Sequence, residues 1–270
     1  LYKKHTGPIS ILAHYLPSLD PLLTYDEAEL MRTKERICLQ YCRAVVTPSV
    51  YLQHNLQKRA PGKLSVIVAP PGNQKIHTEK VPAEDSDPGP DSAADVTTEI
   101  RLLTIANWTL SKNHQFLLPI LASLDRLSWR WKIYGSHDPE EKLVEAFTLQ
   151  AAQLGLTQRV HIGNTLAHDK VQSIMQAADI FLYPSVFESY GMAVAEALTA
   201  GLPVVANRTG GIPEVVGTPP AALLCEITKE AENVRQWKES ITRLISSPKA
   251  RKNYSTAAYS RAHALPQSKD

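Results

Sequence analysis

The sequence has almost no excess charge, few cysteines and no long apolar run, and each shortage narrows what the protein can be. Its 29 basic and 27 acidic residues leave a formal charge of +2, so composition gives no footprint for nucleic acid or another strongly anionic partner. No uninterrupted apolar stretch reaches the roughly 20 residues that a bilayer-spanning helix needs. The opening LYKKHTGPIS lacks a secretory apolar region. Cys38, Cys42 and Cys225 are odd in number and lack metal-ligand spacing. They are expected to be reduced core thiols in a reducing compartment, which points to the cytoplasm. The nine histidines include no HxxxH-type pair, which argues against a metal site. No internal repeat is visible.

What is present is an alternation of short apolar runs and helical segments. The hydrophobic content of 43% and charged content of 21% are those of a globular protein. A short buried strand is expected at 9–13 and a helix over 26–42, with Leu30, Ile37 and Tyr41 among its apolar positions. A strand at 44–47, a helix capped by Ser49 and running to Arg59, and a strand at 64–69 follow. Residues 78–98 are rich in Pro, Asp, Ser and Ala and have no apolar periodicity, so they are expected to be a flexible linker. Beyond it, strands are expected at 100–105, 131–134, 159–162, 179–183, 203–206 and 222–225. Helices should fill 113–126 (amphipathic), 139–154, 171–178, 190–200, 230–245 and 248–263. This alternation predicts α/β architecture with parallel, doubly wound sheets. The expected division is 1–77, a linker at 78–98, and 99–265.

The most informative stretch is 180–214, IFLYPSVFESYGMAVAEALTAGLPVVANRTGGIPE. An apolar strand breaks at Pro184, a short loop carries Glu188 and Gly191, and a small-residue helix and a second strand follow. In a parallel sheet, ligands bind at the carboxyl ends of strands. A helix N-terminus there favours an anion, most often phosphate, and Gly191 lets backbone approach it without a Cβ. Glu188 and Glu196 are eight residues apart, ~12 Å along a helix and roughly on one side. Two carboxylates flanking a phosphate site suit a sugar at one end and a ribose at the other. Taken singly, Glu188 reads as well as a helix-start acid and Glu196 as a solvated face. Lys112 lies after the strand at 100–105, where a compact cation would meet a diphosphate, although most loop lysines are simply solvated.

The ordered set of Glu188, seven residues, Glu196, GLPVVA and Gly210-Gly211-Ile212-Pro213-Glu214 resembles the signature of retaining glycosyltransferases of the GT-B fold. These are the family-four type of glycosyl transferases group 1, a group that includes sucrose synthase and the phosphatidylinositol mannosyltransferases. ILAHYLPS, the 26–42 helix and VVTPSVYLQHNL are similar to the family's amino-terminal domain in order and spacing. The resemblance implies two Rossmann-like domains, the amino-terminal one partial because only about three of its strands are present. It also implies that the chain starts inside that domain, and the end at ALPQSKD looks short too.

By resemblance, the activity is transfer of a sugar, with retention, from a nucleoside-diphosphate sugar. That donor is a co-substrate, and no cofactor or metal is expected. His14 matches the active-site histidine facing the donor. Glu188 would hold donor-sugar hydroxyls and Glu196 the ribose. Lys112, with Ser189, Tyr190, Gly191 and Met192, would meet the diphosphate. Gly135 and the Gly163-Asn164 loop correspond to backbone contacts around the donor and its base. The family's Gly-Arg pair is Ala106-Asn107 here, so one phosphate-binding cation is missing. The acceptor, whether glycan, lipid or small molecule, is unknown, no nucleic-acid partner is expected, and a peripheral membrane contact is left open. Two alternatives stand beside this one: a nucleotide-sugar-binding remnant without turnover, and a sugar epimerase or phosphorylase on the same architecture.

Overall fold

The computed structural model describes residues 9–60, 62, 64–73, 99–138, 140–227 and 229–267. The expected linker at 78–98 and the helix start at Pro139 lie outside them. Among the described residues two sheets form, both wholly parallel.

The first sheet is built from β1 (Ile9–Leu12), α1 (Tyr25–Leu39), β2 (Cys42–Thr47), α2 (Val50–Arg59) and β3 (Ser65–Val68), with strand order β1-β2-β3. Thr24 and Glu27 form a reciprocal capping box at the start of α1, and these bonds hold the Glu27 carboxyl below its usual pKa. Ser49 caps α2 as expected, accepting from the Leu52 N–H. Leu16, Leu39, Val45, Leu52, Leu56 and Val66 make the core of this lobe.

Three expectations are corrected here. Among the described residues β1 pairs only with β2, and Ile9 and Leu12 are exposed rather than buried, because nothing described packs on them. α1 buries only Ala28 and Leu39, which leaves Leu30 and Ile37, together with Tyr41 beyond the helix end, facing solvent. Cys38 is exposed and Cys42 only half-buried, so Cys225 is the sole core thiol of the three.

The second sheet begins with β4 (Ile100–Ile105), α3 (Leu117–Ala122), β5 (Trp129–Tyr134), α4 (Glu141–Gln153) and β6 (Val160–Gly163). It continues with α5 (His168–Ala177), β7 (Ile180–Tyr183), α6 (Met192–Thr199), β8 (Val204–Asn207), α7 (Ile212–Val216) and β9 (Leu223–Cys225). Two terminal helices follow, α8 (Glu230–Ser246) and α9 (Pro248–Ala262). Its order is β6-β5-β4-β7-β8-β9, which is 3-2-1-4-5-6 counted within the sheet, the doubly wound dinucleotide-fold order.

Each face of this sheet has its own core. Trp129, Trp131, Ile133, Phe147 and Trp237 lie in one, and Phe181, Val194, Leu198, Val204 and Ala258 in the other. Of the four buried indoles, those of Trp129, Trp131 and Trp237 are hydrogen-bonded, and Trp108 Nε1 has no partner among the described residues. Trp131 Nε1 donates to Thr104 Oγ1 at 3.0 Å, Thr104 Oγ1 donates to the Leu182 carbonyl at 2.7 Å, and Trp237 Nε1 donates to Asn207 Oδ1 at 2.7 Å.

The amphipathic helix expected over 113–126 is different. Asn113 adopts a left-handed conformation (φ 54°) and starts a 3-10 turn, His114–Phe116, and α3 then ends at Ala122. Leu117, Leu118, Ile120 and Leu121 are all buried, as befits a segment that is apolar all round.

Candidate active site

At the centre of the large sheet, β4 and β7 are neighbours whose outgoing connections run to opposite sides, which opens a crevice at their carboxyl ends. The segment after β4 brings Lys112 to the end of a 3-10 turn, Leu110–Lys112. The loop after β7 brings Glu188. The two loops are tied by the Val186 N–H donating to the Ser111 carbonyl at 2.8 Å.

The side chains meet there. Lys112 Nζ pairs with Glu188 Oε1. It also donates to the Tyr183 hydroxyl at 3.0 Å, which in turn donates to Glu188 Oε1 at 2.6 Å. Ser185 Oγ lies 3.2 Å from the same oxygen. The Lys112 and Glu188 side chains are only 22% and 11% exposed, so this is a half-desolvated pair rather than a surface ion pair. Burial, reinforced by the Glu188 charge, raises the Tyr183 phenol well above its ordinary pKa and keeps it a neutral donor.

The loop's backbone is pressed into place from behind. Gly210 sits at φ +53°, and a Cβ there would come 1.5 Å from the Glu188 carbonyl. The Gly211 N–H donates to that same carbonyl at 3.1 Å. Gly191, at φ 105°, turns the chain into α6, whose N-terminal partial positive charge therefore faces the crevice. In the second turn of α6, Glu196 lines a small recess with Val171, Gln172, Met175, Thr199 and Ala200. Desolvation raises its pKa, partly offset by nearby His168.

The structure brings some of the expected residues together and separates others. Lys112 and Glu188 are partners, and Ser189, Tyr190, Gly191 and Met192 continue from Glu188 into α6. Tyr190 is buried and hydrogen-bonded to Asn73, while Met192 is exposed. His14 is exposed, in the turn after β1. Its neighbour Tyr15 packs edge-on against Phe187, with centroids 5.1 Å apart, which sets the His14 turn beside the Glu188 loop. Asn107 Oδ1 accepts from the Ser136 N–H at 3.1 Å and thus joins the loops after β4 and β5.

Gly135 and Gly163 have packing reasons of their own. A Cβ at Gly135 would lie 1.9 Å from the Ala106 carbonyl, and one at Gly163 would lie 2.3 Å from the Tyr134 ring. Tyr183 and Ser185, which complete the Glu188 site, were not singled out from sequence. The Tyr-Pro-Ser that ends β7, three residues before the glutamate, was the signal available. Among the described residues, no cluster of three or more His, Cys, Asp or Glu side chains stands in a metal-binding arrangement. No helix among them is long and apolar enough to cross a membrane.

With this geometry in place, similarity to known proteins decides the family. The family described as "Glycosyl transferases group 1" matches residues 90–261, well over half of the 270. The chain belongs to that family. The MMP alpha-(1->4)-mannosyltransferase of Mycolicibacterium hassiacum is 31% identical over 111 residues, covering 41% of this chain and 25% of that protein. Matches to the curated relatives span about a quarter of their length.

In fold, sucrose-phosphate synthase from Thermosynechococcus elongatus is similar with a TM-score of 0.77 at 18% identity, covering 96% of this chain and 63% of that one. Anabaena HepE, solved in complex with UDP-glucose, gives a TM-score of 0.71 at 18% identity, covering 96% and 68%. The group 1 chain thus has the α/β GT-B architecture of these glycosyltransferases, with parallel sheets flanked by helices.

Proposed function

We propose that the crevice between β4 and β7 binds a nucleoside-diphosphate sugar and that the protein transfers the sugar, with retention at the anomeric carbon, to an acceptor. The observation that carries this reading is the half-buried Lys112–Glu188 pair at the switch point, set beside the N-terminus of α6. An arriving diphosphate competes with Glu188 for the Lys112 ammonium. Lys112 and the N–H groups from Ser189 to Met192 then stabilise the charge that grows on the leaving group. Glu188, released from the ammonium and still held by Tyr183 and Ser185, accepts from donor-sugar hydroxyls. Glu196 takes the ribose hydroxyls, for which its raised pKa is suited, because hydrogen bonds offset the cost of burying its charge.

His14 approaches from the small lobe, and Gly135 and Gly163 border the base. On this reading 1–77 is the acceptor-side domain, 78–98 a linker and 99–265 the donor domain of a cytoplasmic enzyme. The donor is its co-substrate, and no further cofactor is invoked. HepE, with its bound UDP-glucose, makes UDP the first nucleotide to try.

One observation favours a second reading, donor binding without turnover. Asn107 holds the position of a phosphate-binding arginine, carries no charge, and has its carbonyl oxygen engaged by Ser136. Melting curves with UDP, GDP and ADP, followed by product analysis with the corresponding sugars, separate the two. A melting shift together with a new glycoside supports transfer, and a shift alone supports the binding-only reading. No shift with any nucleotide would remove both.

A further inference from the structure

The glutamate of the Gly210–Glu214 segment has no part in the donor site described above, yet it makes two short hydrogen bonds from one lobe to the other. Glu214 Oε2 accepts from the Val50 N–H at 2.7 Å, and its Oε1 accepts from the Tyr51 N–H at 2.6 Å. These are the first two N–H groups of α2, and a helix cannot satisfy them internally. The helix's own cap serves the next one, with Ser49 Oγ accepting from Leu52 at 3.2 Å. The same Ser49 hydroxyl donates across the seam to the Ser189 carbonyl at 2.6 Å. A carboxylate on a helix N-terminus also gains from the aligned backbone dipoles.

Glu214 is itself anchored. Arg261 of α9 donates to the Glu214 carbonyl at 2.6 Å and to the Val215 carbonyl at 2.7 Å. The Gly210-Gly211 turn that leads into α7 packs directly on the Glu188–Tyr190 backbone.

We infer that Glu214 is a positioning residue, a clasp through which α2 of the small lobe fixes the loop that carries Glu188. The chain of contact is short: α2 to Glu214, Glu214 through α7 to the Gly210-Gly211 turn, and that turn to the Glu188 carbonyl. Ser49 closes the circuit on Ser189. The donor-sugar end of the site is thereby set by the small lobe, although Lys112, Tyr183, Ser185 and Glu188 all belong to the large one. The part of this inference that concerns the sugar rests on the donor reading above. The clasp itself does not.

Hydrogen exchange on the full chain, comparing wild type with Glu214→Ala and Glu214→Gln, tests the clasp. In Glu214→Ala, the Val50 and Tyr51 amides should exchange roughly tenfold or more faster, the equivalent of one charged hydrogen bond. Amides of β7 and β8 should be unchanged. Glutamine has one accepting oxygen and should fall between the two. Unchanged exchange at Val50 and Tyr51, or a uniform rise throughout the chain, would overturn the clasp.

Calorimetric titration of the same proteins with UDP and with UDP-glucose tests the positioning role. The variant should lose more affinity for UDP-glucose than for UDP, whereas equal losses would reduce Glu214 to a structural contact. Should neither ligand bind the wild type, the same titration is run with GDP, ADP and their sugars; failure of all of them removes the donor reading, and exchange at Val50 and Tyr51 still decides the clasp.

Discussion

In the large sheet every residue of β7 and β8 is buried, whereas in the small one Ile9, Leu12 and Ile67 are 40%, 58% and 51% exposed. Both sheets are parallel and both are assembled from short apolar strands alternating with helices, so pattern alone does not separate them. Cover does. The large sheet has helices and a distinct apolar core on each face. The small one is held by one cluster around Val45, Leu52 and Leu56. A parallel sheet is stable when both faces are covered, and the loops that must hold charged groups rigidly emerge from the sheet where that condition is met. The small lobe contributes contacts to the site, through Tyr15, Ser49 and α2, rather than the charged side chains that form it.

The largest test of this contrast is a core truncation on the well-covered side. Trp131 is fully buried, and Trp131→Ala should cost about 3–5 kcal/mol in urea unfolding while also removing the indole donor to Thr104 Oγ1. A cost under about 1 kcal/mol, the range of ordinary surface changes, would break the claim that the large lobe holds the structural core.

A pH test follows in size. His114 is buried and its pKa is pushed down to about 4, chiefly by desolvation. The folded state therefore disfavours the protonated form. The stability involved is fully present above the unfolded value near 6.5 and is lost as pH falls towards 4. The loss is on the order of 3 kcal/mol at the linkage limit. Unfolding measured at pH 7 and pH 5 should show this slope in wild type and a flatter one in His114→Phe. Equal slopes would mean that His114 is not held neutral.

The smallest expected effect sharpens the comparison from the other side. Ile37 is 49% exposed on α1, so Ile37→Ser should change stability by no more than about 0.5 kcal/mol. A loss of several times that would show that the small lobe's outer face is covered in solution.

The sequence shows where elements lie better than it shows what covers them. β4 runs over the six residues expected, and Ser49 caps α2, because a continuous apolar run and a hydroxyl before a helix are local signals. The exposure of Leu30, Ile37 and Tyr41 is not local: the helical period tells which residues share a face, not whether anything packs on it. Pairing across the site was equally out of reach. Lys112 and Glu188 are 76 residues apart, and only the adjacency of β4 and β7 brings them together. Tyr183 looks like a core aromatic until its hydroxyl is seen on Glu188. Gly135 and Gly163 suggested ligand contacts from sequence. The structure adds a packing reason that the sequence does not display, since a Cβ at Gly135 would meet the Ala106 carbonyl and one at Gly163 the Tyr134 ring.

The central claim is that Lys112, Glu188 and Glu196 together form a donor site for a nucleoside-diphosphate sugar. Titrating UDP into wild type, Lys112→Ala and Glu196→Ala in a calorimeter tests it most directly. Wild type should bind, and UDP at a hundred times its dissociation constant should add ~2.7 kcal/mol of stability. Each variant should lose ~1.5–3 kcal/mol of binding free energy, the worth of a charged hydrogen bond, while remaining folded. Wild-type affinity retained in both folded variants would contradict the account.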